Sequence, residues 1–174
     1  LDLNLRFAPT QISWLRQNLP NETKIAPSLQ ITYLVPNVKS PKFADARVRR
    51  ALALAIDRET ITGKVLRNGE IPSCGFVPVT MVGYKSACPP DTRPLAARQA
   101  EARALLAAAG YGPGKPLQFT FMHRAGQLNR IVAVALGNFW KQVGVEAELL
   151  QSDVAVHYNK LREGDFELAD AGWT

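Results

Sequence analysis

Polar and apolar residues alternate along Asp2-Leu3-Asn4-Leu5-Arg6-Phe7 with a period of two, which predicts a strand with one buried face. Pro9-Thr10 then open a short helix through Trp14 and Leu15, broken by Asn18-Leu19-Pro20-Asn21. Leu29 to Val35 is rich in β-branched and aromatic residues and predicts a second strand, closed by Pro36-Asn37. From Asp45 to Ile56 the period lengthens: Val48, Ala51, Leu52, Ala55 and Ile56 recur at three and four residues and share one face of a helix. Asp45 stands where it can cap that helix and suit its positive end. Asp57 can cap a following helix through Ile61, Val65 and Leu66 that stops near Gly69.

No sustained period runs from Ile71 to Arg93, where Pro72, Pro78, Pro89 and Pro90 block regular ladders. A loop this long, about residues 71–94, calls for a function or a pin. Beyond it, Leu95 to Ala109 reads as an alanine-rich helix with Gly110 at its stop. Leu117 to Met122 alternates as a strand. Leu128 to Val143 is amphipathic through Ile131, Val132, Ala135, Leu136, Phe139 and Trp140, and ends at Gly144. Val145 to Leu150 is a strand, Val154 to Leu161 a helix and Phe166 to Ala171 a last strand. The recurring order of strand, helix and strand predicts an α/β fold with crossover connections.

The chain has 174 residues, 47% of them hydrophobic and 21% charged, as in an ordinary globular protein. Its apolar runs are interrupted well before the ~20 residues a membrane helix needs. With no leader and no starting Met, and with patterned sequence at both ends, it is expected to be a piece of a larger protein. The net charge of +6 permits acidic partners. The basic residues do not form a nucleic-acid footprint, because Arg47, Arg49 and Arg50 lie beside Asp45 and Asp57 at helical spacing. Cys74 and Cys88 have no Cys-x-x-Cys or Cys/His company, which argues against zinc. Two states stay open for them: unpaired thiols, or a disulfide closing the proline-rich loop, which stabilises by about 3 kcal/mol in the chain-entropy account.

Catalytic patterns fail one by one. His123 ends a strand before Arg124-Ala125-Gly126, a place where ligand-facing residues occur in open α/β sheets, and His157 sits on a helix beside Tyr158. Neither belongs to a Gly-x-Ser-x-Gly elbow, a His-Glu-x-x-His helix or a phosphate loop. Gly110-Tyr111-Gly112-Pro113-Gly114 follows a helix and contains proline, so it is a helix stop and not a dinucleotide cradle. Among the acids Glu163, Asp165, Glu167 and Asp170, most are expected in solvent; Asp170, near the carboxyl end of the last strand, is the exception. No catalytic residue, cofactor or metal ligand is expected.

The segment Pro41-Lys42-Phe43-Ala44-Asp45-Ala46-Arg47-Val48-Arg49-Arg50-Ala51, continued by Ile56-Asp57-Arg58, closely resembles the hallmark of the family 5 solute-binding proteins, receptors of peptide and nickel ABC importers. The resemblance extends through Val65-Leu66-Arg67-Asn68-Gly69-Glu70-Ile71-Pro72, Ala109-Gly110-Tyr111, Trp140-Lys141-Gln142-Val143-Gly144-Val145 and Phe166 to Trp173, nearly the whole chain. In detail it is most similar to the oligopeptide and murein-peptide receptors. It implies a periplasmic-binding-protein-like (type II) lobe with a mixed, mostly five-stranded sheet flanked by helices. Residues 1–174 would form one α/β lobe of a larger two-lobed receptor. That receptor would be monomeric and periplasmic, or membrane-anchored in a one-membrane bacterium. It would capture an oligopeptide or dipeptide and deliver it to a permease whose ATPase is a separate subunit, with no nucleic-acid partner. A nickel chelate, haem, an opine or a sugar as ligand, or a chemosensory role, is the alternative that the same scaffold implies.

Ligand-facing positions carry over one at a time. Trp173 matches a Trp that lines the cleft of peptide receptors, where a flat apolar wall tolerates different side chains. Asp170 stands where some oligopeptide receptors have Arg, a reversal of sign expected to favour a cationic group. Arg124, Gln127 and Asn129 match polar cleft positions after a strand, and Arg124 can hold a carboxylate through two nitrogens. Tyr33 falls near a ligand-contact position of some members. The hallmark helix is expected to be structural, its Arg residues facing acids and its apolar face packed.

Overall fold

The computed structural model describes residues 11–26, 28–86, 88 and 91–173; the strand expected at 2–7 and the helix start at Pro9-Thr10 lie outside these. Four strands, β1 (Ile31–Pro36), β2 (Leu117–Arg124), β3 (Val145–Ser152) and β4 (Leu168–Trp173), form a mixed sheet in the order β1-β4-β2-β3. β2 is parallel to β3, with Leu117 beside Val145 and Arg124 beside Ser152. It is also parallel to β4, with Phe121 beside Leu168. Parallel neighbours require crossovers. These are α6 (Gln127–Lys141), between β2 and β3, and α7 (Val154–Glu163), between β3 and β4. β1 runs antiparallel to β4, with Ile31 opposite Trp173 and Tyr33 opposite Ala171. The fold is thus α/β with a mixed sheet and flanking helices, four strands of which lie within the described residues.

The apolar spacing read from the sequence is what packs. In α3 (Ala46–Ala55), Val48, Ala51, Leu52 and Ala55 are all buried. The Asp45 carboxylate accepts the Arg47 N–H at 2.8 Å, satisfying a donor that the first turn leaves without a partner. α5 (Leu95–Ala108) lies against α3, burying Ala102 and Leu106, and the buried Arg98 donates to the Ile56 carbonyl at 2.8 Å. Trp140 of α6 is fully buried; Phe119 and Phe121 of β2 meet it edge-on at 5.5 and 5.4 Å between ring centres. Its indole Nε1 donates to the Leu52 carbonyl at 3.2 Å, so one side chain ties α3 to the sheet. Phe43, in the short α2 (Pro41–Ala44), extends the cluster onto Phe119.

Two expectations need correction. The last strand begins at Leu168, two residues later than expected. Asn37 is the reason: its Nδ2 donates to the carbonyls of Gly164 (3.0 Å) and Phe166 (2.9 Å). The Asn37 N–H donates to Glu167 O, so this run is held as a turn. The helix capped by Asp57 is not one regular α-helix. α4 (Arg58–Thr60) passes into a π-wound stretch, Ile61–Leu66, ended by Arg67 at φ +60° with its N–H on Thr62 O. The remaining described helix is α1 (Ile12–Asn18). The described residues between Arg67 and Pro94 form no helix or strand, and there Cys74 and Cys88 are joined as a disulfide with their Cα atoms 5.9 Å apart. No described helix is long and apolar enough to cross a membrane.

Candidate functional site

β2 and β4 run parallel, Phe121 and Met122 beside Leu168 and Ala169 at the start of β4, so their carboxyl ends point to the same edge of the sheet, where open α/β sheets present ligand-facing groups. There Asp170 receives Arg124 twice. Oδ1 accepts the Arg124 main-chain N–H at 2.9 Å and Oδ2 accepts Nε at 2.8 Å. Only 17% of the Arg124 side chain and 10% of the Asp170 side chain are exposed. A carboxylate this buried requires a partner, and Arg124 supplies both charge and geometry. The sign reversal expected at Asp170 is therefore compensated inside the chain, and the carboxylate is not a free anion awaiting a cationic ligand.

α7 closes the arrangement from the side. His157 is fully buried, its Nε2 2.7 Å from the Asp170 carbonyl oxygen and 3.4 Å from Oδ1. A carbonyl can only accept, so Nε2 carries the proton, and Nδ1 is left buried without a hydrogen-bond partner among the described residues. The neighbouring Tyr158 hydroxyl lies 3.3 Å from Arg124 Nη1. Gly172 completes the fit: a Cβ there would stand 3.3 Å from Nη1 and 3.8 Å from Nη2, so the guanidinium rests against bare strand backbone.

The next residue is Trp173, 61% exposed. Residues opposite each other in an antiparallel pair share a sheet face, so Ile31, Tyr33, Ala171 and Trp173 lie together. Phe76, brought in by the disulfide-closed loop, meets the Tyr33 ring edge-on at 4.9 Å and the Trp173 ring at 6.3 Å. Three aromatic rings, two of them more than half exposed, thus form an apolar shelf on the face of β1 and β4 that carries Ala171 and Trp173, while Asp170 and Gly172 alternate to the other face.

The other candidates fall elsewhere. Asn129 donates from Nδ2 to the Ala125 carbonyl at 3.2 Å and closes the turn into α6, where Gly126 (φ +136°) sits against it. Gln127 is exposed at the start of α6. His123 is buried with Nδ1 3.1 Å from the Arg124 carbonyl oxygen. Glu167, expected in solvent, accepts the Thr120 N–H at 2.8 Å and pairs with Lys42 at 2.6 Å. A wide groove lined by Lys42, Gln118, Asn138, Lys141, Glu148 and Glu167 runs along the β3 edge and contains none of the candidate residues. It is open, and its charges pair with each other or face solvent. Sequence reasoning missed Phe76, which lies in the unpatterned loop. It named His157 and Tyr158 without a partner, because that partner, Asp170, is contributed by another element. Among the described residues no group of three or more His, Cys, Asp or Glu could hold a metal ion.

A family model described as bacterial extracellular solute-binding proteins, family 5 Middle, matches residues 1–174. The chain belongs to this family. Within family 5, it is 31% identical to the periplasmic murein peptide-binding protein MppA of Escherichia coli, over 99% of this chain and 33% of that protein. It is 34% identical to the periplasmic oligopeptide-binding protein OppA of Salmonella typhimurium, over 99% of this chain and 32% of that one. The solved structure of the Escherichia coli protein superimposes with a TM-score of 0.89 at 31% identity, covering 97% of this chain and 33% of that chain. Haemophilus influenzae OppA, solved in complex with RPPGFSPFR, superimposes with a TM-score of 0.84 at 29% identity, over 95% and 33% of the two chains. The chain thus spans about a third of the length of these family 5 relatives.

Proposed function

We propose that the chain is a ligand-binding lobe, residues 1–174 with an irregular loop at about 71–94, of a family 5 receptor that captures peptides for an ABC importer. The single observation that carries this reading is the exposed aromatic shelf of Tyr33, Phe76 and Trp173 at the carboxyl ends of the strands. Flat rings accept many side chains without demanding one shape. The peptide-binding relatives support a peptide as the ligand class.

Binding is the whole chemical task in this reading, and the protein is not an enzyme. The complete receptor is two-lobed and closes on its ligand because the closed state makes contacts the open one lacks. It works outside the cytoplasmic membrane, periplasmic as its named relatives are, and hands its ligand to a permease driven by a separate ATPase.

The test is a thermal-shift and calorimetric titration of the full-length receptor against peptide, nickel-chelate, haem, opine and sugar sets. Peptides should stabilise it and remain unhydrolysed on prolonged incubation. Stabilisation by a non-peptide class alone, or release of cleaved peptide, would overturn the reading. The isolated lobe should bind more weakly than micromolar, because half the enclosure is absent.

A further inference from the structure

Phe76 reaches the aromatic shelf from a loop whose own hydrogen bonding stops short of the sheet. Among the described residues, Ser73 Oγ donates to the Gly75 carbonyl at 3.0 Å. The Met81 N–H donates to Pro78 O and the Tyr84 N–H to Met81 O, both at 3.1 Å and both inside the loop. The tip is not packed down either: Val79 and Met81 are exposed, and Val82 is fully so. The loop meets β1 and β4 through Phe76, whose ring lies 4.9 Å from that of Tyr33 and 6.3 Å from that of Trp173. Two ring contacts at a surface are weak against the freedom of a chain with no other tie.

The restraint comes from the base of the loop. A disulfide joins Cys74, two residues before Phe76, to Cys88. The limb returning to Cys88 also lies on Gly75, where a Cβ would stand 3.2 Å from the Tyr84 hydroxyl oxygen and 3.7 Å from Ser86 Oγ. Ser86 Oγ in turn donates to the Cys88 carbonyl at 3.1 Å. A cross-link removes conformations from the chain between its ends, in a loop of a folded protein as in an unfolded one. A ring already in place when the ligand arrives needs less ordering on binding.

We infer that the Cys74–Cys88 disulfide holds Phe76 on the shelf, and that opening it weakens ligand binding through Phe76 without unfolding the lobe. The inference rests on the reading that the shelf takes the ligand. Opening uses a dithiol, which gives up two electrons and two protons, becomes a disulfide itself and leaves thiols on Cys74 and Cys88. Full affinity then belongs to an oxidising compartment.

The experiment compares the full-length receptor with its Cys74→Ser/Cys88→Ser variant, using a peptide bound in the titration above. The paired serines should weaken binding about tenfold in calorimetry and leave the far-ultraviolet circular dichroism unchanged. Phe76→Ala should weaken binding by a similar factor, and adding the paired serines to it should weaken binding no further. Phe76→Tyr, which keeps a ring, should restore the dependence on the disulfide. A dithiol should act on the wild type as the serines do and leave the serine variant unaffected. A second readout needs no peptide, so it stands apart from the reading of the ligand. Acrylamide quenching of Trp173, taken as the difference between wild type and Trp173→Phe, should rise when the disulfide is opened. Unchanged affinity or unchanged quenching in the serine variant would overturn the inference. So would a tenfold loss that persists in the Phe76→Ala background, or a loss of circular dichroism, because the disulfide would then support the fold and not the ring.

Discussion

The α3 region and the carboxyl ends of β2 and β4 use charged residues in opposite ways. On α3 the charges stay on the surface and are answered nearby: Arg47 pairs with Asp45 at 2.7 Å and Arg50 with Glu101 at 2.9 Å. Arg49 departs from the expected acid partner and donates instead to the carbonyls of Phe43 and Ala44. The apolar face beneath is closed, down to an indole N–H tied to a helix carbonyl. At the strand ends the order inverts. An ion pair is buried, a histidine is sealed behind it, and the aromatic rings are left outside. Apolar surface that is left exposed next to satisfied, buried charge is what a binding surface requires, whereas α3 has nothing left to offer a ligand. The most recognisable segment of the chain is thus scaffold, and the less recognisable one carries the proposed site.

The sharpest way to break this comparison is to empty the scaffold. Trp140→Ala removes a fully buried side chain and should destabilise the receptor by about 4 kcal/mol in chemical denaturation. If it left stability unchanged and altered only ligand binding, the division of labour would be wrong. Trp173→Ala should do the reverse. It should weaken peptide binding about tenfold or more in calorimetry with little change in unfolding midpoint, because the ring is mostly exposed. Asp57→Ala removes the acceptor of both the Thr60 N–H (3.0 Å) and its hydroxyl (2.7 Å). The loss of this cap should cost about 1 kcal/mol of stability and leave affinity intact.

Acid gives the smallest effect and locates it in the same region. Burial raises the Asp57 carboxyl, but the Thr60 N–H and hydroxyl outweigh it and hold the group below its ordinary value. The Arg47 side chain does the same for Asp45, and Arg93 for Glu101. Arg93 brings Asp91 down to about 2. Each carboxyl binds its proton less readily in the folded chain than in the unfolded one. The stabilisation is therefore complete above the ordinary values of 3.8 and 4.5 and is lost as pH falls through the lower folded ones. Unfolding midpoints measured downward from pH 5 should fall, and a midpoint that rose on acidification would contradict these assignments.

Legibility followed the same division. The face of α3 could be read from its spacing, because a single helix packing one stripe obeys a local period. β2 was legible for the same reason: Leu117, Phe119 and Phe121 point one way, into the core around Trp140. The start of β4 was misplaced because Asn37, from a distant turn, bonds the residues before it. The π-wound stretch after Thr60 has no period of its own to announce it. Arg124 and Asp170 were each singled out from resemblance, yet their union was invisible, since 46 residues and two crossovers separate them. Phe76 had no signal at all, because its place on the shelf comes from a loop closed between Cys74 and Cys88.

Gly172 sets the depth of positive charge in this molecule. With only a hydrogen where a methyl would stand, the strand admits the guanidinium to within 3.3 Å of that position. An added methyl would require the guanidinium to give by a few tenths of an ångström, against the hold of Asp170 on its Nε. The room left by one missing methyl is therefore part of what lets a guanidinium pack flat against a strand and still reach its carboxylate.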